Sequence, residues 1–160
     1  MLIREATPQD SDAIWAIMEP VIRAGETYTI ARDVSRHDAL AYWFAAGHEV
    51  FVAEEDGAIT GSYLLRANQR GGGAHVANCG YMTARHAMGR GVARAMCQHS
   101  LDTARERGFS AMQFNFVVST NQRAVRLWTA FGFATVGRLP EAFLHPTLGY
   151  VDALVMYRAL

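Results

Sequence analysis

The residues with the most pointed chemistry lie in one stretch, Ala77 to Ala104, where a strand-like run (Ala77 to Thr83) reaches a polar corner, Met88-Gly89-Arg90-Gly91, and a helix begins. Val92, Ala93, Met96, Cys97, Ser100, Leu101 and Ala104 fall on one face of that helix, and Arg94, Gln98, Asp102 and Arg105 on the other. The first four N–H groups of a helix have no partner inside it, and the aligned peptide dipoles leave partial positive charge there. Phosphate fits such an end. Gly89 and Gly91 lack Cβ atoms, so a pyrophosphate can approach the backbone closely, and Arg90 between them adds a mobile cation.

The corner is not one of the common nucleotide loops. A P-loop needs Lys-Ser or Lys-Thr after its glycines, and this chain has no lysine at all. A dinucleotide fingerprint needs glycine where Arg94 stands, and a strand running almost directly into the first glycine. Elsewhere, Cys79 and Cys97 lack C-x-x-C spacing and are expected to be free, buried core residues in a reducing cytoplasm. His75 and His86 have no Asp, Glu or Cys at ligand spacing, so no metal is expected.

The elements that must position these residues follow in order. Leu2 to Ala6 reads as a strand, and Thr7-Pro8-Gln9-Asp10 as a capped helix start at about residue 8, with Gly25 as its stop. Tyr28 follows in a polar loop as an exposed aromatic. Ser35 caps a second, shorter helix that stops at Gly47, and Asp56-Gly57 joins antiparallel strands Val50 to Glu54 and Ala58 to Leu65. Gly71-Gly72-Gly73 makes a flexible link into the strand before the corner. Ala111 to Val118 alternates as a strand, and Asn121 precedes a helix bearing Ala124, Leu127, Trp128 and Phe131 on one side. Strands Phe133 to Leu139 and Val151 to Arg158 close the chain around a loop from Pro140 to Tyr150. The order predicts an α/β fold with a mixed sheet, helices on both faces, and the corner at the carboxyl end of a middle strand.

Length and composition bound the rest. The 160 residues are 51% hydrophobic and 19% charged with formal net charge zero, which predicts one domain over 1–160 and gives no bulk attraction to nucleic acid or anionic membrane. No apolar run reaches a membrane-spanning length, the start lacks a secretion signal, and a cytoplasmic location is expected.

M-G-R-G-V-A at Met88 to Ala93 and N-Q-R-A-V-R-L-W-T-A-F-G-F at Asn121 to Phe133, in this order of elements, resemble the GNAT superfamily of N-acetyltransferases. The first is similar to the family's [QR]-x-x-G-x-[GA] signature and the second to its N-x-x-A-x-x-[LF]-Y-x-x-x-G-F helix. The resemblance implies a GNAT-like, mostly antiparallel twisted sheet of about seven strands and acetyl-CoA as co-substrate. It also implies a small-molecule amine as acceptor and a homodimer, with the apolar last strand as the exchange edge.

By the same resemblance, Tyr81, Met82 and Thr83 would pair with the pantetheine arm, with backbone donors near Met82 serving the thioester carbonyl. The N–H groups of Gly89, Arg90, Gly91, Val92 and Ala93, next to Met88, would hold the pyrophosphate, and Asn121 would contact the pantetheine end as well as cap its helix. Among Arg90, Arg94, Arg123 and Arg126, Arg90 is the expected phosphate partner. The chain departs from the family at Met88 and at Trp128, which stands where many members carry a tyrosine acid; an indole N–H is a poor acid, and Trp128 reads first as a core aromatic.

A narrower likeness, carried by V-A-N-C-G-Y-M, Q-F-N-F-V-V-S-T-N and A-F-x-H-P-x-x-G-Y-V-D-A-L-V-M-Y, is to a branch that includes L-azetidine-2-carboxylate acetyltransferases. It implies substrate and catalytic roles for Asn78 and Asn115 and an amino acid or proline analogue as acceptor. Tyr28, His145 and Tyr150 read equally as loop packing or as the lining of an acceptor pocket, and Glu54 as a solvated strand end rather than a base. Two further readings stay open: an acyl-CoA-binding sensor without turnover, and a protein N-acetyltransferase.

Overall fold

The computed structural model describes residues Met1–Leu160. Seven strands, β1 (Leu2–Glu5), β2 (Glu49–Glu55), β3 (Ala58–Ala67), β4 (Val76–Thr83), β5 (Ala111–Val118), β6 (Ala134–His145) and β7 (Gly149–Ala159), form one sheet in the order β1-β2-β3-β4-β5-β7-β6. Every pairing is antiparallel except β4 with β5. Four helices cover it: α1 (Ser11–Ala24), α2 (Arg36–Trp43), α3 (Val92–Glu106) and α4 (Gln122–Ala130). None is long and apolar enough to cross a membrane.

Side-chain alternation assigns the helices to faces. A β-carbon at Gly61 would meet Met96 and Val92 of α3, whereas one at Gly80 would approach Tyr28 and Trp43. Gly61 pairs with Thr83 and Leu64 with Gly80, so α3 lies over the odd-numbered side chains of β4 and the α1–α2 side over the even-numbered ones. Trp128 of α4 packs on Tyr81 and Phe114, with ring centroids 4.9 and 5.0 Å away, which puts α4 beside α3. The apolar core fills both layers, from Ile14, Met18 and Trp43 on one side to Met96, Leu101 and Met112 on the other.

The expected helix start at residue 8 is a 3-10 turn, Pro8–Asp10, with α1 beginning at Ser11. The buried carboxylate of Asp10 accepts the Thr7 N–H at 2.7 Å and both Arg4 terminal nitrogens at 2.8 and 2.9 Å. Those Arg4 hydrogen bonds hold the Asp10 carboxyl far below the usual carboxylate range. A depressed folded-state pKa stabilises fully above the unfolded value and loses that contribution as pH falls. Asp10→Asn is therefore expected to cost about 1–3 kcal/mol at neutral pH. In urea unfolding, the gap to the wild type should shrink progressively below about pH 4; a gap that does not change with pH would contradict the ion pair.

The C-terminal region corrects two expectations. The loop Pro140 to Tyr150 is mostly strand, because pairing resumes at Phe143 with Val151 and runs to His145 with Gly149. Extra residues on β6 are absorbed between Leu139 and Phe143, where Glu141 adopts φ 51° and its N–H donates to Asp152 at 2.9 Å. Proline is tolerated there because an irregular edge strand needs no donor at that point. The free edge is also not the last strand: β7 is paired on both sides, and β6 is the outer strand, with Val136 and Leu144 largely exposed.

Candidate active site

Strands β4 and β5 pair only through Val76–Ala111 and Ala77–Met112, then separate. A bulge in β5 between Phe114 and Val117 adds one residue against β7 and carries Asn115 and Phe116. At the fork, Asn78 Nδ2 donates to the Gln113 carbonyl at 2.8 Å, just where the backbone ladder stops. Beyond the fork lies a cleft of about 940 Å³, walled by the α1–α2 loop, β4, β5, α4 and the corner before α3.

At the corner, Gly89 and Gly91 take φ 82° and 86°, left-handed conformations that glycine adopts without strain. The first hydrogen bond into α3 is from Ala95 N–H to the Gly91 carbonyl, at 2.9 Å. The amides of Gly91, Val92, Ala93 and Arg94 thus find no acceptor in the protein, and all four residues line the cleft. This is an anion site made of backbone alone. Arg90 departs from expectation: its N–H closes the turn onto the Ala87 carbonyl at 3.2 Å, and its guanidinium sits 3.2 Å from Glu55. Glu55 takes the charge because its buried oxygen has no other partner. The arginines that do line the cleft near the corner are Arg85, Arg94, Arg123 and Arg126.

The strand register moves the expected acyl-oxygen donor. Ala84 N–H bonds the Thr60 carbonyl and Asn68 N–H the Val76 carbonyl, and the β3–β4 register is unbroken between them. In an antiparallel pair, alternate residues send both backbone groups to the same neighbour. Even-numbered β4 residues, Met82 among them, therefore bond to β3, and the amides of Cys79, Tyr81 and Thr83 face the cleft. The carbonyl of Tyr81 is taken by the Tyr28 hydroxyl at 2.7 Å, over the space left by Gly80. Tyr28 is accordingly a cleft residue with a buried hydroxyl, whose pKa burial pushes up, not an exposed loop aromatic.

Met82, Thr83, Met88, Gly89 and Asn121 also line the cleft, as do Asn78 and Asn115. Asn121 caps α4 through Ala124 N–H at 3.3 Å. His145 does not join them; its Nδ1 accepts Thr147 N–H at 3.2 Å and closes the β6–β7 turn. Tyr150 is exposed outside the cleft, and Glu54 pairs with Arg4 at 3.0 Å at the sheet edge. Cys79 and Cys97 are buried free thiols, pushed up by burial to about 12, which leaves no thiolate for nucleophilic work near neutrality.

Sequence reasoning missed a polar chain that crosses three strands on the α1–α2 side. Arg66 Nε donates to Asn78 Oδ1 at 3.2 Å, Gln113 Nε2 to Asn115 Oδ1 at 2.9 Å, and Asn115 Nδ2 to Asn68 Oδ1 at 2.6 Å. Asn78 and Asn115 were expected at the site, and Arg66 directly after the run Gly61-Ser62-Tyr63-Leu64-Leu65 was the signal for a charged member of the chain.

The acetyltransferase (GNAT) family model matches residues 17–133. A GCN5-related N-acetyltransferase from Kribbella flavida is 42% identical with TM-score 0.95, over 99% of this chain and 97% of that one. The yncA protein of Salmonella typhimurium, solved with its cofactor acetyl-CoA, is 25% identical with TM-score 0.87, over 100% of this chain and 94% of that one. The N-acetyltransferase aca1 of Schizosaccharomyces pombe is 26% identical over 151 residues, covering 84% of this chain and 72% of the relative. A forked β4–β5 pair, a cleft-facing helix terminus and a family match across both motifs agree: the chain belongs to the GNAT family of acetyltransferases.

Proposed function

We propose that residues 1–160 form one catalytic domain that transfers the acetyl group of acetyl-CoA to the amine of a small molecule by direct attack in a ternary complex. The observation that carries this reading is the row of unpartnered amides at Gly91 to Arg94, opening on the same cleft as the fork of β4 and β5. The corner amides suit a diphosphate, and the cleft-facing N–H groups of Cys79, Tyr81 and Thr83 suit an extended amide-bearing arm. The acetyl-CoA held by the Salmonella relative supports the same cofactor here.

In this mechanism the amine nitrogen bonds the acetyl carbon, the carbon–sulfur bond breaks, sulfur leaves with the electron pair, and the amine's proton passes to solvent. Tyr81 or Thr83 N–H, rather than that of Met82, stabilises the oxyanion; one good donor contributes roughly 3 kcal/mol. Holding both reactants in one cleft supplies proximity, on the order of several kcal/mol. Asn78 positions the fork, and Asn115 and Tyr28 shape the acceptor side. A homodimer would form along β6, the exposed edge, rather than β7.

The test is thiol release from acetyl-CoA with a panel of small amines, amino acids and proline analogues included. Acceptor-dependent release is expected. Tight binding of acetyl-CoA with no release on any amine would favour a sensor module, the reading that Trp128 at the tyrosine position allows.

A further inference from the structure

The protein is neutral overall, but its cleft is not: the charged side chains on the wall are five arginines and Glu26. Four of the arginines stand by the corner and on α3 and α4. Arg66 stands apart, opposite Asn78, five residues of β4 or roughly 17 Å from Thr83 at about 3.3 Å per residue. It is half-buried, forms no ion pair, and spends only Nε on the protein. Asn78 orients it from behind and is itself anchored to β5 through the Gln113 carbonyl. Both terminal nitrogens are free of protein acceptors. A guanidinium held at Nε with both terminal nitrogens free takes a carboxylate end-on in two parallel hydrogen bonds.

Position decides which anion this is. Side chains at Arg66 and Asn78 share the face of Leu64 and Gly80, the face over which Tyr28 lies, opposite the side of β4 that carries α3. The corner amides serve one end of the cleft and Arg66 the other. Asn78 and Tyr81 are three residues apart, roughly 10 Å, a gap that an arginine arm and a small amino acid fill together. We infer that Arg66 is the residue that anchors a carboxylate of the acceptor, a role that the expected amino-acid acceptor leaves unassigned, so that it selects molecules with an amine and a carboxylate a few bonds apart. This rests on the acetyl-transfer reading above and narrows it.

The experiment pairs amino acids with their carboxamides, L-proline with L-prolinamide, L-methionine with L-methioninamide and L-phenylalanine with L-phenylalaninamide. Acetyl-CoA-dependent thiol release is measured alongside calorimetric titration of acetyl-CoA. Compared per unprotonated amine, because a carboxamide makes the neighbouring amine less basic, at least one acid is expected to exceed its amide in kcat/KM by about tenfold or more, the worth of a charge-assisted pair. Arg66→Met should erase that preference by raising KM for the acid, with acetyl-CoA affinity within about twofold of wild type, and Arg66→Lys, which keeps the charge, should restore part of it. Thermal melts of both variants identify a folding defect, and Arg66→Lys decides the matter if Arg66→Met is unstable. Amides equal to or better than acids, or acids unaffected by either substitution, would overturn the inference while leaving acetyl transfer intact. Absence of release with every acid in the panel also overturns it, and the titration then shows whether the cofactor reading falls with it.

Discussion

Gly91→Glu is expected to weaken acetyl-CoA binding by at least about a hundredfold, because it sets a carboxylate against the place where the corner amides would hold the diphosphate. Two effects contribute. Gly91 has φ 86°, so any side chain there strains the backbone by roughly 1–2 kcal/mol. The second is charge, and Gly91→Ala separates the two. A β-carbon at this position meets nothing within 4 Å, so alanine adds strain without a clash. Calorimetry should show alanine costing no more than about tenfold and glutamate far more. Glutamate binding as well as alanine would mean that the diphosphate lies elsewhere.

The second large effect falls on the fold. Trp128 is 8% exposed and wedged between Tyr81 and Phe114, so Trp128→Ala should cost about 3–5 kcal/mol in unfolding experiments. Its indole nitrogen has no acceptor in the protein, yet it is not sealed from solvent, and the residue lines the cleft. Trp128→Phe keeps most of the volume and removes the N–H. It should retain stability to within about 1.5 kcal/mol and lower kcat roughly tenfold, the value of one hydrogen bond to the departing sulfur. An indole does not titrate, and burial pushes the hydroxyl pKa values of Tyr28 and Tyr81 upward. The rate should therefore rise with deprotonation of the acceptor amine and show no falling limb below about pH 10. A falling limb below that would reveal a titrating proton donor elsewhere in the cleft.

What was legible in the chain was local. Ser35 accepts the Asp38 N–H and Asn121 that of Ala124, as their capping positions require, and Asp56-Gly57 joins β2 to β3. The glycine corner needed only positive φ at Gly89 and Gly91 and a helix behind them. What escaped depends on pairing across distance. Whether Met82 or Tyr81 offers its amide is a matter of parity against β3, and the irregular link between Ala67 and Val76 hides that parity from the sequence. Arg90, expected at the phosphate, pairs with Glu55, which lies at the end of β2 and is close only in the fold. Arg66 gained its place through Asn78 on the neighbouring strand, and the Pro140 region became strand because bulges let β6 absorb residues that read as a loop.

The most direct test of the central claim is a crystal structure of the protein with acetyl-CoA. Diphosphate oxygens within hydrogen-bonding distance of the Gly91, Val92 and Ala93 amides are expected, with the arm along Cys79 to Thr83 and the acetyl oxygen on the Tyr81 or Thr83 N–H. Acetyl-CoA bound outside the fork, or a diphosphate that leaves those three amides bare, would contradict the account.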